Sequence, residues 1–126
     1  MEELIQRVAT AAGIAPDKAE TAIGMIFAFL KKDGPSAEVD ALLADLPGAP
    51  QAAAAAAEHG DGLLGGLMGA IGGGLMGLAG QLTGIGLGMS EMQAIGKEVF
   101  SFAREKAGDE RIGQIVSAIP GLSQFL

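Results

Sequence analysis

"VDALLADLPGAPQ", residues 39–51, returns 73 positions later as "IGQIVSAIPGLSQ", residues 112–124. Pro47 falls on Pro120, Gly48 on Gly121 and Gln51 on Gln124. Where identity fails, chemistry holds. Val39, Leu42, Leu43 and Leu46 fall on Ile112, Ile115, Val116 and Ile119, the i, i+3, i+4, i+7 spacing that lines one face of a helix. The same shift carries upstream, placing Gly13 on Gly86, Phe27 on Phe100 and Phe29 on Phe102. One such match could be chance, but a series in one register indicates a duplicated unit.

Each copy reads as three helices. The first runs over about residues 2–12 and ends at Gly13. The second starts near Asp17 and runs to about Lys32, with Gly34-Pro35 as its stop. The third covers about 36–46 and is closed by Pro47-Gly48. In the second copy the spacing gives helices near 75–85, 90–106 and 109–119. Asp17-x-x-Glu20 and its counterpart Ser90-x-x-Gln93 have the form of capping boxes. In the first helix of the second copy, a shift of 74 suits the apolar phase better, with Leu4 and Val8 on Leu78 and Leu82. A residue gained or lost in the following loop is the expected reason. The long helices should bury Ala19, Ala22, Ile23, Ile26, Phe29 and Leu30, matched by Met92, Ile95, Val99, Phe102 and Ala103. The basic residues at their ends, Lys31-Lys32 and Arg104 to Lys106, suit the negative end of a helix dipole.

Between the copies lie the alanine run 52–57, the breaker His59-Gly60-Asp61-Gly62, and "GLLGGLMGAIGGGLMGLAG", residues 62–80, with nine glycines. Residues 62–89 carry no charge. On a helical projection Leu64, Leu67, Ile71, Leu75, Leu78, Leu82 and Ile85 share a face. Gly65, Gly69, Gly73 and Gly77 recur at every fourth position on a second, smooth face. A flexible linker has no reason to keep leucines at helical period. A lone helix would lose about 0.8–1 kcal/mol at each interior glycine relative to alanine. Close packing on both sides can offset that, because small-xxx-small spacing lets backbones approach. A membrane span fits the apolarity, but the flanks Glu58, Asp61 and Glu91 are acidic and no Lys or Arg is placed to set a topology.

The reading is therefore an all-α chain: two tandem three-helix copies, related by a shift of 73, packed around a Gly-rich central helix. Residues 1–51 form the first copy, 52–74 the Ala-run and Gly-rich connecting helix, and 75–126 the second copy, in one compact domain. The residues expected to carry packing or an interface are Gly65, Gly69, Gly73 and Gly77 for close approach, with Leu64, Ile71, Leu75 and Leu78 for burial.

Composition excludes more than it names. There is no Cys, Trp or Tyr, and one His, so disulfides and thiolate chemistry are out. A net charge of −7 opposes nucleic-acid binding, which needs clustered Lys and Arg. The start, MEELIQRVATAAG, carries two acids and no continuous apolar core, unlike a secretory signal; the expected compartment is the cytoplasm. Glu58-His59-Gly60-Asp61 offers no further metal ligands. The five serines have no Gly-x-Ser-x-Gly context, and the glycines are followed by no Gly-Lys-Ser/Thr. Thr10 and Thr83 recur between the copies as hydroxyls suited to helix packing. No catalytic, cofactor-binding or metal-binding residue is expected, and no cofactor.

The run Gly13-Ile14, Asp17-x-x-Glu20 and Leu46-Pro47-Gly48, the Ala/Gly-rich middle and the closing Ile119-Pro120-Gly121-Leu122 resemble small bacterial helical proteins. These are the family termed domain of unknown function twenty-two sixty-seven and a related group numbered twenty-seven eighty. The resemblance implies a helical bacterial protein and brings no catalytic residues with it. The expected function is that of a non-enzymatic interaction or assembly protein, a homo-oligomer or the partner of another protein, self-associating through close-packed small-residue helix faces. The alternative is a membrane-associated protein, or one that binds lipid or a small apolar ligand through residues 62–89.

Overall fold

The computed structural model describes residues 2–46, 48–51 and 74–119. Within them the chain is all-helical. The helices are α1 (Glu2–Ala12), α2 (Pro16–Asp33), α3 (Ser36–Asp45), α4 (Gly74–Gly84), α5 (Met89–Ala107) and α6 (Asp109–Ala118). Each lies within about one residue of the bounds read from apolar periodicity and Pro/Gly punctuation.

The stops are local devices that recur. After α1 the chain turns through Gly13 at φ +69°, and the Ile14 N–H reaches back to the Ala9 carbonyl at 3.0 Å. After α4 it turns through Gly86 at φ +96°, and the Leu87 N–H reaches the Leu82 carbonyl at 3.1 Å. Both are glycine-dependent helix ends in which a 6→1 bond satisfies an orphan carbonyl. The two glycines and their closing bonds lie 73 residues apart, but α4 ends one residue early in that register, so residues 85–88 separate it from α5 where only 13–15 separate α1 from α2. Likewise Leu46 ends α3 at φ −110°, ψ 106° with its N–H on Leu43 O, and Ile119 ends α6 at φ −110°, ψ 108° with its N–H on Val116 O.

The capping boxes do not form. α2 begins one residue earlier than expected, with Ala15 as N-cap, Pro16 in the first turn and no side-chain cap bond. Proline's fixed φ suits the first helical position and its missing N–H costs nothing there. Asp17 is left inside the first turn, where its charge meets the positive end of the helix dipole. On α5 the N-cap is Gly88, again without a side-chain cap bond, and Ser90 is exposed.

Every residue of the two stripes read on the long helices is buried, and so are Phe27 and Phe100. Val39, Leu42, Leu43, Leu46, Ile112, Ile115 and Ile119 are buried too, with Val116 partly so. All belong to one cluster that draws on all six helices. Of the residues described, no polar or charged one is buried. The core is thus aliphatic with phenylalanine, and the hydrophobic effect over that shared surface holds the halves together.

Candidate functional site

The helices do not pack as two separate three-helix lobes. α1 makes its most extensive packing on α5, in the other half of the chain, as well as on α2. α4 lies mainly on α2 rather than on its chain neighbour α5. α2 touches α5, and α3 sits against α2, α5 and α6. α1 thus lies across both long helices, while α4 lies on the long helix of the other half; Leu4 and Val8 of α1 and Leu78 and Leu82 of α4 are all buried. This joint between the halves is the most elaborated surface of the described molecule.

Polar side chains clasp its rim. Arg7 on α1 donates from Nη1 to Glu105 Oε2 at 2.8 Å, and its Nε lies 3.5 Å from Glu98 Oε2. Its guanidinium carbon stands 5.6 Å from the centre of the Phe102 ring, within cation–π range. Glu98, Phe102 and Glu105 follow one another on α5 at spacings of four and three, so they share the face turned toward α1. The hydrogen bond that Arg7 donates to Glu105 is the first cause of a raised Arg7 pKa. Partial desolvation opposes this, and the charges of Glu105, Glu98 and Glu3 add to the rise. A second pair joins α6 to α3, Arg111 Nη1 donating to Asp45 Oδ2 at 3.0 Å. Lys18 of α2 brings its Nζ close to Gly86, in the turn that follows α4, where a cation suits the C-terminal end of that helix. Within a half the described ion pairing is slight: Arg104 Nε to Asp109 at 4.0 Å. Lys106 also stands over Phe102, at 5.4 Å.

The residues singled out from the sequence fall unevenly on this picture. Leu78 is buried in the core at 7% exposure. Leu75 and Gly77 stand on α4. Gly65, Gly69, Gly73, Leu64 and Ile71 lie outside the described residues, as does the Glu58-His59-Gly60-Asp61 run. Thr10 and Thr83 are exposed and so are not packing hydroxyls; Thr83 donates to Ala79 O of its own helix at 2.9 Å. Among the described residues no cluster of His, Asp or Glu has the arrangement of a metal site. None of the described helices is long and apolar enough to cross a membrane.

Sequence reasoning missed Arg7, Glu98, Glu105, Asp45 and Arg111. A weak signal was present. Arg7 is the lone cation of α1, and two glutamates flank Phe102 on an otherwise apolar face. Nothing local connects positions 98 residues apart, so the pairing becomes visible only once α1 is laid on α5.

In comparisons with protein-family models, curated proteins and solved structures, nothing matches this chain.

Proposed function

We propose that this chain is a non-enzymatic assembly protein, built from two copies of one three-helix unit. In this reading it self-associates through the small-residue faces of its Gly-rich segment, Gly65, Gly69, Gly73 and Gly77. The observation that carries the reading is the packing of α1 on α5 and of α4 on α2, each across the halves. α5 takes its cover from α1 and α2 takes part of its cover from α4, as in a dimer fused into one chain. Supporting the two-copy reading are the helix starts at Pro16 and Met89 and at Ser36 and Asp109, each pair 73 apart. The two turn bonds and the two helix-end geometries described above fall in the same register. Supporting the assembly reading is the recurrence of Gly65, Gly69, Gly73 and Gly77 at every fourth position, a spacing that lets helix backbones approach closely.

The competing membrane or lipid reading rests on the uncharged run 62–89. Its second half already has an occupant, because Leu78, Leu82 and Leu87 are buried among protein side chains. Light scattering on the purified chain with and without detergent tests the proposal, alongside Gly69→Leu and Gly73→Leu. The assembly reading expects an oligomer that needs no detergent and that either leucine disrupts. Wild-type elution and melting of both variants, or flotation of the chain with liposomes, would count against it.

A further inference from the structure

The charges at the joint are one-sided. Arg7 and Asp45 belong to the first half, and their partners Glu98, Glu105 and Arg111 to the second. The positions 73 before Glu98 and Glu105 hold Met25 and Lys32, and the position 73 before Arg111 holds Glu38. A first half offered to another first half would therefore meet an apolar residue and a cation where Arg7 needs carboxylates. It would meet a carboxylate where Asp45 needs a guanidinium. In the other direction, the positions 73 after Arg7 and Asp45 hold Gly80 and Ala118, which leave Glu98, Glu105 and Arg111 of a second half unpaired. The apolar spacing is common to both halves and cannot tell like from unlike; the charges can.

We propose that the joint is a charge-coded surface that accepts the unlike half and rejects the like one. Its intermolecular partner is then a second copy of this chain, bound by exchange: the first half of each molecule docks on the second half of the other. The proposal rests on the two-copy reading above. In the wild-type chain the half on the same molecule competes with the half on another, so the closed form prevails at low protein concentration. Exchange gains ground when the tethered half is mismatched.

Two full-length variants create that situation. The first carries Arg7→Glu and Asp45→Arg, the second Glu98→Lys, Glu105→Lys and Arg111→Glu. Each sets like charges against each other within its own chain, yet the first half of one matches the second half of the other. A third chain carrying all five substitutions is matched internally. The two mismatched chains, unfolded and refolded together at about 0.1 mM, should give a 1:1 dimer by native mass spectrometry. That dimer should melt near the matched chain, whereas each mismatched chain refolded alone melts lower. Regaining two matched joints is worth on the order of 100-fold in dimerisation. Co-refolding with no 1:1 species, or with association but no gain in melting temperature, overturns the exchange. If the matched chain also fails to recover, the facing of these charges is at fault and the charge coding falls, while the two-copy reading, which rests on the register of helices and turns, stands apart from it.

Discussion

The first half of the molecule, α1 to α3, and the second, α4 to α6, bury the same apolar spacing but reverse the chain by different means. Between α2 and α3 two residues intervene, Gly34 and Pro35, both extended, with the Gly34 N–H on Leu30 O at 2.7 Å. Between α5 and α6 a single residue suffices. Gly108 bends the chain alone, at φ +96°, ψ 151°, with its N–H on Arg104 O at 2.9 Å, a conformation that essentially only glycine adopts. α5 is one residue longer than α2 and its turn one residue shorter, so α3 and α6 start in register. The comparison teaches that the core fixes where a helix must begin, while the turn that delivers it there is open to substitution. The rim shows the same freedom, since the charges of one half are absent from the other.

The largest test of that comparison lies in the core. Phe27 and Phe100 occupy matching places, at 0% and 2% exposure, in one cluster. Phe27→Ala and Phe100→Ala should each cost about 3–5 kcal/mol, read by urea denaturation. Because the cluster is shared, each should lower a single cooperative transition. Two separate transitions in either variant would break the picture of halves that hold each other up.

The turns come next. A Cβ on Gly34 would lie 2.6 Å from Leu30 O and 2.9 Å from the Val39 side chain, so Gly34→Ala is refused by packing although its φ of −87° suits any residue. On Gly108 a Cβ meets nothing within 4 Å, so Gly108→Ala is resisted by backbone torsion alone. Losses of about 1–3 kcal/mol are expected for each. Combining Gly34→Ala with Val39→Ala removes only the side-chain part of the clash and should leave the backbone overlap, giving no rescue. If it rescues fully, the first turn is no tighter than the second.

How far the sequence could be read follows from the range of the forces involved. Helix extents were legible because apolar period, Pro35, Pro47 and the glycines act over a few residues. The long-helix stripes and the α3 and α6 faces were legible for the same reason. The capping boxes at Asp17 and Ser90 were misread because a proline or glycine one or two residues upstream moved the helix start, a competition that pattern matching does not weigh. The packing of α1 on α5, and of α4 on α2 rather than on α5, was not legible. Three short helices of like spacing can close on themselves or on the other half of the chain, and the apolar code is the same in both cases. The clasp of Arg7 depends on that choice and so inherited its invisibility.

The smallest expected effect concerns that clasp and asks whether the halves differ at the rim as they do at the turns. Arg7→Gln removes the one cation on α1 and keeps a polar side chain of similar reach, while Gly80, 73 positions along on α4, has no side chain to remove. The variant should melt slightly below wild type, by less than either glycine variant, because an ion pair this exposed is screened by water. Its pKa is raised in the fold, so the stability it contributes is fully present below the ordinary guanidinium range and is lost only as pH climbs through the raised value. The difference between wild type and Arg7→Gln should therefore stay constant between about pH 6 and about pH 9. It should shrink in about 1 M salt, where the screening length falls to about 3 Å. A difference that survives high salt would point to the stacking of the guanidinium on Phe102 as the stronger half of the contact, and Arg7→Lys, which keeps the charge but loses the flat stacking face, would then melt with the glutamine variant rather than with wild type.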